Sequence, residues 1–251
     1  MSVAVRDHRA RAGATVAVIS SGTDQRRLVP VQPRTMVEQA AEAIVAGAAR
    51  GIFLPDDRLV EAEIARDLGI SRVPVREALR LLESQGIVVS TPYKGMRLMQ
   101  VSNRGVAALM RVRLALETLA VREALAQPGG PERFDRLRRA ADAFADATRS
   151  SDPALHVLAE QEFHAELCRS AGNPPLLALW QSLARQLAVV WGLALQLRDS
   201  ASQSEEHYTL LEALECGDGT GALALLVAHI EQHGELDFET LVAERRNQPA
   251  G

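Results

Sequence analysis

The sequence predicts a mainly α-helical protein: an N-terminal winged helix-turn-helix of three helices and a β-hairpin, followed by an all-α antiparallel bundle. Two short apolar-periodic segments meet at the tight linker Gly69-Ile70-Ser71, the arrangement of a helix-turn-helix. Two runs rich in apolar and β-branched residues flank Thr91-Pro92-Tyr93-Lys94-Gly95, which reads as a hairpin turn. From Arg104 onward, apolar residues recur at i, i+3, i+4 almost without interruption, and alanine is abundant.

Residues 1–33 mix Arg, Gly, Ala, Ser, Thr and Pro without sustained periodicity and read as a flexible tail, although the run 15–19 could form a strand. The first helix runs over about 36–50 on Val37, Ala40, Ala41, Ile44 and Val45, and Gly51 stops it. A shorter helix over about 60–68 has the stripe Leu59, Ile64, Leu68, with Gly69 as its C-cap glycine. Ser71 is a good N-cap for the third helix, its hydroxyl able to satisfy an orphan first-turn amide. Pro74 falls inside that first turn, where a missing N–H costs little. Val75, Leu79 and Leu82 face a core, and Gly86 stops the helix before the strands at 87–90 and 96–99. Loop signals then separate helical segments near 104–126, 132–149, 154–171, 175–198, 204–216 and 220–245. Short loops favour antiparallel packing, and the fourth segment, apolar over most of its surface, reads as central or dimer-facing.

Arg72, Arg76 and Arg80 recur every four residues on a face of the third helix other than its core stripe. A basic stripe beside the positive N-terminal end of a helix suits phosphates and the acceptor edge of guanine. Three arginines also fit a merely solvated face, but the turn before them and the hairpin after them favour double-stranded DNA. The candidate contacts are Ser71, Arg72, Val73, Pro74, Arg76 and Arg80, with Lys94 and Gly95 at the hairpin tip beside Arg97. Lys94 is the only lysine in the chain.

The net charge of −4 divides unevenly. Residues 1–33 hold five basic and two acidic residues, residues 34–102 nine of each, and residues 103–251 fourteen and twenty-one. DNA affinity must therefore come from local clustering, and the acidic remainder is a poor candidate for touching DNA. No segment reads as membrane-spanning and no signal-peptide pattern opens the chain, so a cytoplasmic protein is expected. Cys168 and Cys216 stand apart and read as reduced core thiols.

Within the bundle, Glu160 and His164 share a helical face, and His207 and His229 follow in later helices. Imidazoles with one carboxylate suit Zn²⁺, Ni²⁺ or a similar divalent ion, while lone helical histidines also serve as structural residues. Such an ion would leave positions open for a small carboxylate, with Arg113 as a second charge partner or, equally, paired with Glu117 at i, i+4. Two rival readings are a metal-dependent hydrolase and a ligand-independent DNA-binding dimer with an inert bundle.

Residues 51–101 carry Leu54-Pro55, Leu59-Val60-Glu61, Ile64-Ala65, Leu68-Gly69-Ile70-Ser71-Arg72, Pro74-Val75-Arg76-Glu77-Ala78-Leu79, Leu82-Glu83, Gly86 and Gly95, and they resemble the winged-helix domain of the GntR family of bacterial transcription regulators. That resemblance implies that Arg72, Arg76 and the wing glycine meet operator DNA; Ala62 stands where some members carry a further DNA-contacting arginine. Glu160-Gln161-Glu162-Phe163-His164-Ala165-Glu166-Leu167 and Ala171-Gly172-Asn173-Pro174 resemble the signature of the FCD effector domain of one GntR subfamily. Arg113-Leu114-Ala115-Leu116-Glu117, Glu206-His207 and Ala228-His229 add to it. Carried over by position, it implies a divalent cation on Glu160, His164, His207 and His229, with Glu160 where aspartate is usual. Effector contacts are expected from Arg113 and Asn173, and six helices place the domain nearer the vanillate-regulator type than the fatty-acid type. The expected organisation is a tail at 1–33, a winged helix at 34–102 and an FCD domain at 103–246, in a metabolite-responsive homodimer, a repressor more often than an activator.

Overall fold

The computed structural model describes residues 35–194 and 200–247; the expected tail, with its run 15–19, lies outside the described residues. A capping box opens α1 (Met36–Ala49): the Glu38 N–H donates to Thr35 Oγ1 at 3.2 Å, and the Thr35 N–H donates to Glu38 Oε2 at 2.8 Å. α2 (Glu61–Asp67) and α3 (Arg72–Ser84) meet at Gly69, whose φ of +67° supplies the left-handed turn. Val75, Ala78, Leu79 and Leu82 bury one face of α3, which packs on α1. Leu68 is exposed rather than part of the α2 stripe; Leu59, Ile64 and Ala65 carry it. Ser71 occupies the cap position of α3, but its hydroxyl makes no capping hydrogen bond, contrary to expectation. Its side chain is exposed at the mouth of the helix instead.

β1 (Val88–Thr91) and β2 (Gly95–Leu98) pair antiparallel, with Val88 opposite Leu98 and Thr91 opposite Gly95. Positive φ values at Tyr93 and Gly95 turn the chain between them. A bridge between Arg58 and Arg97 adds a rung from the loop before α2.

The bundle comprises α4 (Asn103–Ala126), a 3₁₀ turn at Pro131–Phe134, α5 (Asp135–Ala147), α6 (Pro153–Ser170), α7 (Pro174–Ala194), α8 (Ser200–Glu215), α9 (Gly219–Gly234) and α10 (Phe238–Asn247). The six expected segments thus become seven α-helices among the described residues, because the last one breaks at Glu235-Leu236-Asp237. Asp237 accepts hydrogen bonds from the Thr240 N–H and hydroxyl, and Asn103 Oδ1 accepts one from the Phe238 N–H at 2.7 Å, so a new helix starts there.

α7 is long and apolar enough to cross a membrane by length and composition, contrary to the expectation that no segment is. Its composition has a packing cause. Trp180, Leu187, Val190 and Trp191 are buried at the centre of the bundle, and its far end receives α1. A Cβ placed on Gly192 would stand 2.6 Å from Ala49 Cα, so only glycine permits this approach. Beside it, the Arg50 guanidinium donates two hydrogen bonds, at 3.0 and 2.9 Å, to Asp152, the N-cap of α6. α10 returns to the winged helix, where Arg246 donates to the Pro55 carbonyl and, at 2.9 Å, to Asp57. Cys168 is buried, but Cys216 is exposed and so is not the core thiol expected; both are free.

Candidate DNA interface and candidate metal centre

The outer face of α3 gathers the residues expected at DNA. Ser71, Arg72, Val73, Arg76 and Arg80 are exposed, and Pro74 is half-buried in the first turn. Arg80 donates to Glu77 of its own helix at 3.1 Å. Arg76 is held from outside its helix: Glu61, the first residue of α2, accepts from its Nε at 3.1 Å and its Nη2 at 2.9 Å. That hydrogen bond holds the Glu61 carboxyl below its usual range, despite a small opposing effect of burial, and the fields of Arg76, Arg72 and Arg80 add to it. Lys94 and Gly95 sit exposed at the wing tip. Arg97 does not join them, since it donates to the Asp56 carbonyl at 2.6 Å and braces the base of the wing. Arg58, which sequence reading missed, lies against the wing: its Nε is 3.6 Å from the position of a Cβ on Gly95. Only the bridge to Arg97 brings it there, and nothing in the local sequence signals a contact across 39 residues.

Inside the bundle, Glu160 and His164 of α6, His207 of α8 and His229 of α9 converge, with one ligand atom from each within 4.8 Å of the others. Each imidazole is oriented from behind. His164 Nδ1 lies 2.8 Å from Glu117 Oε2, His207 Nδ1 2.7 Å from the Gln203 carbonyl, and His229 Nδ1 2.9 Å from Glu206 Oε2. All three partners are acceptors, so each Nδ1 carries the proton and each Nε2 turns inward. His229 Nε2 and His164 Nε2 are 3.2 Å apart. His207 Nε2 is buried 2.9 Å from Glu160 Oε2.

Titration shifts follow from the same crowding. Burial pushes the Glu160 carboxyl up, but His207 and His164 outweigh it and hold the group well below the usual carboxylate range. Burial pushes His207 down, against the pull of Glu160. For His229 burial also pushes downward, yet hydrogen bonds to Glu160 and Glu206 prevail and raise it. The centre of the cluster therefore attracts positive charge. Inward lone pairs, a carboxylate and a ring of orienting acceptors suit a divalent cation of the Zn²⁺ or Ni²⁺ kind.

The structure combines the two readings of Arg113: its Nε donates to Glu117 at 2.8 Å and its Nη2 to Glu160 at 3.2 Å. Its guanidinium lies 5.5 Å from the ring centre of Trp191, and its Nη1 is buried with no hydrogen-bond partner. Glu117 is the hub that sequence reading undervalued, accepting also from Trp180 Nε1 at 2.8 Å. Burial pushes its carboxyl up, but Arg113, His164 and Trp180 together bring it down to about 2. Asn173, expected at the effector site, instead caps α7: its Oδ1 accepts from the Leu176 N–H, and its Nδ2 donates to Glu123 at 2.8 Å. A helix cap before Pro174 explains it without a ligand.

Comparison with known proteins gives concordant matches. The family of bacterial regulatory proteins described as gntR matches residues 36–98, and the FCD domain matches residues 108–232. The probable D-xylose utilization operon transcriptional repressor of Paenarthrobacter nicotinovorans is 30% identical over 199 residues, covering 78% of this chain and 86% of that protein. The Nta operon transcriptional regulator of Aminobacter aminovorans is 29% identical over 75% of this chain and 88% of its own length. Among solved structures, McbR/YncC of E. coli superposes with a TM-score of 0.69 at 21% identity, covering 86% of this chain and all of that one. A GntR regulator from Rhodococcus sp. RHA1 gives a TM-score of 0.67 at 20% identity, with coverages of 82% and 97%.

Proposed function

This chain belongs to the GntR family of bacterial transcription regulators and carries the family's FCD domain, and from that premise we propose a metal-dependent, metabolite-responsive repressor. The family and the relatives are transcriptional regulators rather than enzymes, which removes the hydrolase reading of the histidines. DNA is met by Ser71, Arg72, Val73, Pro74, Arg76 and Arg80 on α3 and by Lys94 and Gly95 on the wing. The division at 102/103 rests on Ser102, whose hydroxyl caps α4.

One observation carries the sensor reading: three imidazole Nε2 atoms and a carboxylate face one point, each imidazole oriented by an acceptor behind it. Glu160, His164, His207 and His229 would hold the divalent ion, which supplies a Lewis-acidic position for a small carboxylate. Arg113 Nη1, buried without a partner, is the donor available to such an anion. Two mechanical routes lead out from the ligand-bearing helices. α6 begins at Asp152, which grips Arg50 of the winged helix, and α9 is followed by α10, whose Arg246 grips the Pro55–Asp57 loop at the wing base. A shift of either helix thus reaches the DNA-binding face. A second copy fits α4, where Ala108, Val112, Ala115 and Leu119 form an exposed stripe at coiled-coil spacing. Packed on the same stripe of another copy across a two-fold axis, these side chains would leave water together.

The test is metal analysis of the purified protein, then thermal unfolding of the chelator-stripped chain with Zn²⁺ or Ni²⁺ added back. At a hundredfold excess over the dissociation constant a resident ion adds about 2.7 kcal/mol. His229→Ala should abolish the gain. Stripped protein that neither rebinds an ion nor changes its midpoint would leave the inert-bundle reading in its place.

A further inference from the structure

The ion pair between Glu61 and Arg76 differs in kind from the other arginine contacts of α3. Arg72 has no ion-pair partner among the described residues, and Arg80 pairs within its own helix at i, i+3. Arg76 alone is held from a second helix, across 15 residues of sequence, and by two of its donors. A guanidinium is planar and presents its protons along distinct edges. Glu61 occupies the edge formed by Nε and Nη2, with Nε shared between its two oxygens at 3.1 Å. The end-on edge, made by Nη1 and the outer proton of Nη2, stays open. Two parallel N–H groups on that edge match O6 and N7 of guanine.

We propose that Glu61 is a positioning residue that fixes the edge Arg76 presents to a base and thereby sets the sequence preference of the winged helix. The inference rests on the DNA-reading function proposed above and deepens it. A carboxylate at the face of α3 is a poor choice for attracting phosphates, because it cancels one of the few basic charges gathered there. It is a good choice for discrimination. Random duplex gains nothing from an aligned Arg76 and is repelled by the glutamate, whereas a correctly placed guanine engages both open donors. Glu61 remains ionised at neutral pH, since its hydrogen bond with Arg76 holds its carboxyl low.

Selection from a randomised duplex library, using the full chain at one fixed salt concentration, tests this with wild type, Arg76→Ala, Glu61→Gln and Glu61→Asp. The expectation is that Arg76→Ala erases one base preference per half-site and that Glu61→Gln weakens that same preference roughly tenfold. Glu61→Gln should also bind a scrambled duplex several-fold more tightly, while Glu61→Asp keeps part of the preference. Unchanged thermal midpoints in the Glu61 variants separate positioning from folding. An enriched wild-type motif that Glu61→Gln reproduces in full, or alters only at positions unaffected by Arg76→Ala, overturns the role of Glu61 alone. A wild-type selection that enriches no sequence overturns the DNA-reading function and this inference with it.

Discussion

Arg76–Glu61 on the winged helix and Arg113–Glu117 inside the bundle have nearly the same geometry, with closest approaches of 2.9 and 2.8 Å. Their surroundings differ: side-chain exposures are 48% and 31% for the first pair, 1% and 0% for the second. In water, the first attraction is screened and readily exchanged for another partner. Away from water, the second cannot be given up cheaply, because each charge left behind is stranded in a medium that solvates it poorly. The comparison teaches that distance alone does not assign a role to an ion pair. The exposed pair orients a side chain that still faces solvent, and the buried pair locks α4 against the Glu160 and His164 side chains of α6.

Removing the buried carboxylate should break the comparison most visibly. Glu117→Ala strands His164 Nδ1 and Trp180 Nε1 and leaves Arg113 with Glu160 alone, and the expected loss is about 3–5 kcal/mol in denaturant unfolding. Acid should approach the same end by another path. With Glu117 at about 2 in the folded chain and near 4.5 when unfolded, its contribution is fully present above pH 4.5 and is lost as pH falls toward 2. That amounts to roughly 3 kcal/mol. Urea midpoints from pH 7 down to 3 should show the decline, and Glu117→Gln should flatten it.

A smaller effect tests the contact that joins the two regions. Gly192→Ala puts a methyl group 2.6 Å from Ala49 Cα, and about 1–3 kcal/mol should be lost in thermal unfolding. A wild-type midpoint would mean that α1 and α7 adjust freely. Leu119→Arg on the exposed α4 stripe should weaken self-association at least tenfold in sedimentation equilibrium, with the monomer's helicity intact. The smallest expected change lies at the exposed pair itself. Arg76→Ala should leave the melting temperature where it is while removing a single base preference per half-site; a clear drop in melting temperature would show the two pairs to be less different than their exposures imply.

Local signals make much of this legible in advance. Gly69 at positive φ, the Val75–Leu79–Leu82 stripe and the Pro/Gly turn of the wing each act within a few residues, so periodicity and turn chemistry suffice to read them. The four candidate ligand positions follow from spacing joined to a family resemblance, and the fold brings them together. Long-range features are not legible. Glu61 meeting Arg76, Glu117 meeting His164 and Trp180, and Arg246 meeting the wing base depend on how helices cross, which no window of sequence encodes. Where a local rule misleads, a stronger local competitor explains it. The Asp237 cap splits the last helix where periodicity alone runs on.

The single lysine at position 94 has a practical consequence. Its ε-ammonium stands at the wing tip, so acylating reagents that seek side-chain amines will mark the hairpin and leave the rest of the fold untouched. A fluorophore coupled there becomes a gauge of the hairpin's surroundings, and any enzyme that acetylates lysine side chains would find one address on this chain.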